Sequence, residues 1–560
     1  MAKPSWDRSA YRIVLGVYGV LALSSTMAGQ LSWDEETDYL GLRDQLSHAL
    51  RLVRGENPDY HTIHANLEFY GTVGLLPAWL LWFLQRGLFT GRFSLDRALH
   101  NPAVEHQLTG FFTISHTVLL LETVLLSLVV VAMARQLALR HPWLTGAVLL
   151  ATPTLLGHSF TNTKDVPFAL FYSLYTLGWM RRTPLPCSGL GRSPPGHPAL
   201  LALLGATLLV NQKLVALVPV LLSEAMFALW RWRRGWALGS AMAPALALPT
   251  AAVAGALLLQ PAAWGQPPWR FLAEAFTTFA VHSWGGCMWF DGQCVGIHDP
   301  SWSAAGYMLN WLGAKLPLLL LLLPLVQALA WLRQGLERNW PRQRPSRLER
   351  PPGTILPLML QLLLLPALAA ARDSNLYDAD RHLLFVVPPL AVLAVMGFER
   401  LQDLPSAIPP WRGPKPWALA LVALLALGQV VDDLLLHPYQ LAYFNEMARH
   451  RLNHTNTSVD YWAVSAKEAV QQAQLRERLP VNPTAAEEPL PLPLAIGFRQ
   501  LGGRLTQDAP TRLIFQVRNP PDFQRPRPSS LDCANPVEVS RRQLLAPPLV
   551  MSRLIVCRST

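Results

Sequence analysis

Apolar residues in this chain gather into windows of about 17 to 25 positions, each long enough for a helix to cross a hydrocarbon core of about 30 Å. The windows fall near 11–31, 109–133, 143–160, 165–180, 198–212, 214–230, 236–260, 314–333, 353–371, 382–397 and 416–432, which predicts about eleven transmembrane helices. A further stretch, "YGTVGLLPAWLLWFLQRGLF" (70–89), carries tryptophans and a central Pro77 and predicts a segment lying along the membrane interface. Beyond 432 the pattern changes. Apolar runs shorten, polar and proline residues rise, and "PTRLIFQVRNP" and "SRLIVC" read as short strands. The expected organisation is an α-helical polytopic membrane domain over 1–432, with an outer loop at 32–108, followed by a small mixed α/β outer domain over 433–560.

Composition agrees with this reading. Of 560 residues, 51% are hydrophobic and only 15% charged, and a mean hydropathy of +0.23 lies outside the range of soluble domains. The net charge of +11 does not point to nucleic acid, because the basic residues sit in short loops between apolar runs. "MARQLALRH" (133–141), "RRTPLPCSGLGR" (181–192), "RWRRG" (231–235) and "RQGLERNWPRQRPSRLER" (333–350) are expected on the cytoplasmic side. An odd number of spans then sends 32–108, 161–164, 261–312, 372–381 and everything after 432 outward. Lys3, Arg8 and Arg12 before the first window read as the flank of an uncleaved signal anchor. Five cysteines are too few and too scattered for a disulfide framework, and only Cys287 and Cys294 share an outward loop in which they could bridge.

Ionisable groups at span depth cost about 2.5 to 3.5 kcal/mol on insertion scales, so each needs a partner, a wet cavity or a task. Lys164 and Asp165, the "NQK" break at Asn211, Gln212 and Lys213, Lys315, and Asp378, Asp380, Arg381 and His382 all fall at outer span ends, the level of Asp34 and Glu35. Together they outline an outward cavity holding both signs of charge. Each also has a plainer reading. Asp34 could cap the helix that follows it, Lys164 and Asp165 could be an interfacial ion pair, and Lys315 is expected to snorkel to the interface. Glu122 and Glu224 lie within spans and are expected to face neighbouring helices. His61, His64, His106 and His116 lack a metal-ligand spacing and read as solvated or core histidines. The loop "WGGCMWFDGQCVGIHDPSW" (284–302) reads first as an aromatic belt and second as a cover over a ligand.

Five stretches in order carry a resemblance: the Asp34–Glu35 pair after the first span; "NTKDVPFALFYSL" (162–174); Lys213 at a span junction; "LYDADRHLLFVVPPLAVL" (376–393); and "HPYQLAYFNEM" (437–447) followed by "DYW" (460–462). Over about residues 10–462 the chain resembles GT-C glycosyltransferases of the bacterial branch similar to protein O-mannosyltransferases and aminoarabinose transferases. The resemblance implies an inverting transferase of the bacterial inner membrane. Such an enzyme moves a sugar from a polyprenyl-phosphate donor to an acceptor hydroxyl on a glycan, lipid or protein at the outer face.

It further implies Asp34 as general base with Glu35 beside it, Asp165 as the second acidic position, and Lys164, Lys213, Arg381 and His382 around the donor phosphate. No cofactor is required, although a divalent ion between Asp34 and Asp165 could supply part of the positive charge. One carboxylate suffices in a single displacement, since a phosphate departs without an acid to protonate it. Asp380, directly before Arg381, departs from the pattern and is expected either to weaken phosphate binding or to pair with that Arg. The competing readings are a transporter or lipid flippase and a non-catalytic assembly protein.

Overall fold

The structure, a computed structural model, describes residues 6–28, 31–56, 67–90, 108–182, 197–281, 285–338, 352–403, 416–477, 511–524 and 531–559. His61, His64 and His106 and much of the basic loops 181–192 and 333–350 lie outside these residues.

Helices dominate. Six of the described ones, Trp6–Ala28, Gly110–Gln136, Leu214–Arg233, Leu238–Leu258, Arg381–Asp403 and Leu419–Leu436, are long and apolar enough to cross a membrane. A seventh follows if Ala304–Lys315 and Leu318–Gln334, bent by 114° at their junction, count as one broken span. The eleven apolar windows therefore exceed what length and composition support in the fold. Pro198–Gln212 and Ile355–Ala371 are shorter apolar helices. The window 143–160 splits into Pro142–Leu150 and Pro153–His158, with Thr152 extended between them (φ −83°, ψ 111°). The cause is Pro153, which removes a backbone donor and pushes the residue before it out of the helical region.

The helix Asp165–Arg182 forms the centre of the bundle, with Phe168, Tyr172, Tyr175 and Trp179 all buried. The segment 70–89 is helical only in its later part. Its helix starts only at Leu76, so Pro77 sits in the first turn, where a missing N–H costs nothing. Trp79 and Trp82 point inward onto Phe111 and Tyr39, and Leu80, Leu81 and Leu84 face out.

After the helix Pro416–Leu436, the chain forms a helix at Ala466–Glu477 and an antiparallel sheet. Its strands are β3 (Thr511–Val517), β4 (Leu531–Cys533), β5 (Val537–Arg541) and β6 (Leu549–Ser559), with β3, β4 and β5 all pairing with β6. Cys533 and Cys557 face each other across β4 and β6 and are bridged, a pairing the scattered spacing concealed. The Trp-rich loop folds into a hairpin of β1 (Met288–Phe290) and β2 (Gln293–Val295), with Cys287, just before β1, bridged to Cys294 within β2. Its two-residue turn is Asp291–Gly292, with φ of 51° and 83°. Asp-Gly is the dipeptide that tolerates two consecutive left-handed residues.

Candidate active site

The helix Trp33–Val53 begins with Ser32 at its cap and Asp34, Glu35 and Glu36 in the first turn, where carboxylates complement the dipole. The two adjacent carboxylates diverge. Glu35 turns back to accept from the Ser32 backbone N–H at 2.7 Å and lies 2.5 Å from His116 Nε2. Glu35 is thus the capping residue, and its carboxylate is spent on its own helix end and on His116. Asp34 is left facing the opposite wall, where its Oδ2 lies 2.5 Å from Arg381 Nη1 and 3.9 Å from Lys164 Nζ. One turn on, Asp38 also pairs with Lys164 and accepts from Thr163 Oγ1 at 2.6 Å.

Lys164 and Asp165 belong to the turn that leads into the Asp165–Arg182 helix. Asn162 makes this turn: its Oδ1 accepts from the N–H groups of Lys164 (3.2 Å) and Asp165 (2.9 Å), and its Nδ2 donates to Asp165 Oδ2 at 3.0 Å. Behind it stands His158, bonded to Asn162 at 3.1 Å and to the Tyr461 hydroxyl at 3.1 Å. Asp165 pairs with Lys213, not with Lys164, so the simple interfacial pair of neighbours does not form. Lys213 sits between two helices in extended conformation (φ −148°, ψ 113°) and is bridged to Tyr70 backbone to backbone. Gly71 makes that approach feasible, because a Cβ there would lie 2.1 Å from the Asn211 carbonyl oxygen.

Arg381 is nearly buried over two aromatic faces, Tyr377 at 4.8 Å and Trp462 at 5.3 Å. Besides Asp34 it contacts Asp378, with Nη2 at 3.4 Å from Oδ2. The same carboxylate accepts from Trp462 Nε1 at 3.2 Å and from Arg518 Nη2 at 2.8 Å. Trp462 in turn holds the start of the Asp34 helix, its carbonyl accepting from the Trp33 N–H at 3.1 Å. His382 stands edge-on to Tyr377 at 4.7 Å, within electrostatic reach of Asp165, Lys213 and Asp34. Asp165 likewise feels Arg381. Asp34, Lys164, Asp165, Lys213, Arg381 and His382 are therefore one cluster, and Glu35 is outside it.

The cluster sets its own charge states. Burial alone would raise the Asp34 carboxyl, but Arg381 and Lys164 outweigh it and hold Asp34 below the ordinary carboxylate range. Burial would lower Lys164, yet Asp38 and Asp34 keep its ammonium well above the usual value. Asp378 goes the other way: burial raises it despite Arg381 and Arg518.

Two expectations need correction. Lys315 does not snorkel. It is fully buried, donates to the Leu441 carbonyl at 2.9 Å and lies 4.3 Å from the Phe444 ring centre. Among the described residues Asp380 forms no ion pair with Arg381, whose partners are Asp34 and Asp378; burial lifts the Asp380 carboxyl to about 6, opposed by the charge of Lys315.

Asp38 and Arg518 are the charged members of the cluster that sequence reasoning left off its site; Asp378 was placed in the outward cavity but given no role. Asp38 had a signal, being four residues from Asp34 on one helix face. Arg518 had none, since it comes from the tail. Beside Lys164 a cleft of about 340 Å³, counted out to solvent, is lined by Asp38, Gln45, Tyr70, Thr72 and Gln212. Among the described residues, no group of three or more His, Cys, Asp or Glu is arranged to hold a metal ion.

No family model matches this chain, and no curated protein sequence matches it. Two solved structures of ArnT from Cupriavidus metallidurans are similar to it. The one bound to undecaprenyl phosphate is 15% identical, with a TM-score of 0.45 over 87% of this chain and 84% of that one. The apo state is 13% identical, with a TM-score of 0.45 over 97% of each.

Proposed function

We propose that this protein is an inverting membrane glycosyltransferase that moves a sugar from a polyprenyl-phosphate carrier to an acceptor hydroxyl on the outer side of the membrane. One observation carries the reading: residues from four distant stretches, Asp34, Lys164 with Asp165, Lys213, and Arg381 with His382, meet in a single cluster of alternating charge. Such a cluster can take an anionic headgroup while its lipid tail stays in the bilayer. In the step itself the acceptor oxygen forms a bond to the anomeric carbon as the bond from that carbon to the phosphate oxygen breaks. The phosphate leaves with the bonding electrons, and the acceptor proton passes to Asp34. Arg381 offers the planar fork suited to phosphate, and Lys213 and Lys164 act as point charges with His382 beside them.

The ion pair between Asp34 and Arg381 gives this site a built-in order of events. While paired, Asp34 is too weak a base. A donor phosphate competes for Arg381, and once the guanidinium turns to it, burial acts on Asp34 with less opposition and its basicity rises. The proposal takes no cofactor, because side-chain cations already match Asp34 and Asp165. Chelation by EDTA is expected to leave transfer unchanged; a loss restored by magnesium would put a divalent ion between these two carboxylates.

The orientation that goes with this reading puts the N-terminus in the cytoplasm and the sheet domain in the periplasm, with the cluster at the outer rim. The test is to incubate the protein in lipid with a panel of radiolabelled polyprenyl-phosphate sugars. Asp34→Asn should lower sugar transfer about 100- to 10,000-fold. Turnover that persists undiminished removes Asp34 from the base role. Passage of the intact donor across sealed vesicles without cleavage of the sugar-phosphate bond favours a flippase.

A further inference from the structure

We propose that Arg518, from the C-terminal sheet domain, is a positioning residue for Arg381, acting through Asp378; this rests on the reading of Arg381 as a phosphate-binding group. Arg518 follows directly on β3 and has φ of 77°, in the left-handed region that side chains other than glycine rarely adopt. Asp378 and Ala379, opposite it, also have positive φ, 55° and 58°. Unfavourable backbone on both sides of one ion pair is held only where the surroundings over-determine it.

The surroundings here are built. Asn519, next to Arg518, accepts from Ser458 Oγ at 2.7 Å, and Ser458 Oγ accepts from the Trp289 N–H at 3.0 Å, so the hairpin, the 453–462 loop and the β3 corner lock together. From this corner Arg518 reaches Asp378 Oδ1 at 2.8 Å and Met288 Sδ at 3.8 Å. With Oδ1 held, Oδ2 is fixed toward Trp462 Nε1 and Arg381 Nη2. Arg381 then lies over the Trp462 ring with Nη1 on Asp34. A line of alternating charge thus runs Arg518, Asp378, Arg381, Asp34.

Docking the outer domain is a task other residues perform. Arg449 pairs at 2.6 Å with Asp432, at the end of the Pro416–Leu436 helix, while Arg541 and Glu468, which pair at 2.6 Å, both belong to the outer domain itself. What Arg518 adds is an orientation. The sheet domain, by this inference, completes the phosphate site of the membrane domain.

The experiment measures binding of a short-chain polyprenyl phosphate, carrying no sugar, to the full-length protein in detergent. Arg518→Gln is expected to weaken binding about tenfold, the scale of one hydrogen bond to a charged group, and Arg518→Lys to recover most of it. Asp378→Asn should cost a similar factor, and the double variant no more than Asp378→Asn alone, because both act through one carboxylate. Additive losses, or an Arg518→Gln protein that binds as the wild type does, overturn the proposal. Failure of the underlying reading looks different, since the wild type then does not bind the lipid phosphate at all. In that event hydrogen exchange over 372–381 decides the linkage. Faster exchange in Arg518→Gln than in wild type and Arg541→Gln upholds it, and no difference refutes it.

Discussion

Asp34 and Glu35 are neighbours of the same chemistry, yet one works for the helix and the other faces the cluster. The difference is helical geometry. The third residue of the first turn can fold back onto the cap N–H, while the second projects about 100° around the axis. Glu35→Ala is expected to destabilise the protein by about 0.5 to 2 kcal/mol, the usual worth of a cap interaction, read as a lower Tm. For Asp34 the sign of the pH effect follows from its partners. Its carboxyl is held low by Arg381 and Lys164, so it contributes stability that is present above the ordinary carboxylate range and lost as pH falls through its lowered value. Arg381→Gln removes the largest opposing charge and leaves burial, so Asp34 titrates at higher pH. The acid limb of kcat/KM, which reports the free enzyme, should move upward in that variant. An unmoved acid limb would mean that the limb belongs to another group.

At the scale of elements, the cluster depends on how helix ends are stopped. Pro153 breaks one helix and Asn162 leads into the next, which leaves a short turn where Lys164 and Asp165 can point inward. The "NQK" break works similarly: the backbone of Lys213 leaves helical geometry and bridges to Tyr70. Gly71→Ala puts a Cβ 2.1 Å from a backbone oxygen that cannot rotate away. It should cost about 1 to 3 kcal/mol and lower transfer by displacing Lys213, checked by thermal unfolding alongside turnover. Much of this was legible. Both late strands lie where their apolar runs predicted, whereas the S-x-x-E pattern at Ser32 and Glu35 and the Asp291–Gly292 turn are local signals that sequence reasoning did not use. The inward packing of Trp79 and Trp82 with Phe111 was not legible, because composition alone does not say which tryptophans enter a core.

For the molecule as a whole, the membrane and sheet parts are joined by charges taken out of water. Asp432, at the end of the Pro416–Leu436 helix, accepts from both Arg449 and the Leu544 N–H, the latter at 2.6 Å. Arg449→Ala leaves this buried carboxylate short of its cation and is expected to cost about 3 to 5 kcal/mol. Limited proteolysis should then cut the sheet domain faster than in wild type; an unchanged rate would mean the pair does not hold the domains together. Inside the bundle Glu224 is a comparable case, bound bidentately by Arg182 at 2.5 and 2.9 Å. It supports the expectation that this span acid faces a neighbouring helix.

The membrane character of the chain, the late strands and the level of its charged residues were set by the sequence itself, because hydrophobic length and loop charge act locally along the chain. Which of those charges face one another was decided only by folding. Asp165 chose Lys213 over its neighbour Lys164, and Arg518 entered from a tail without any motif. Partners separated by tens to hundreds of residues meet through helix packing, and Coulomb energy depends on distance in space, for which distance along the chain is no guide.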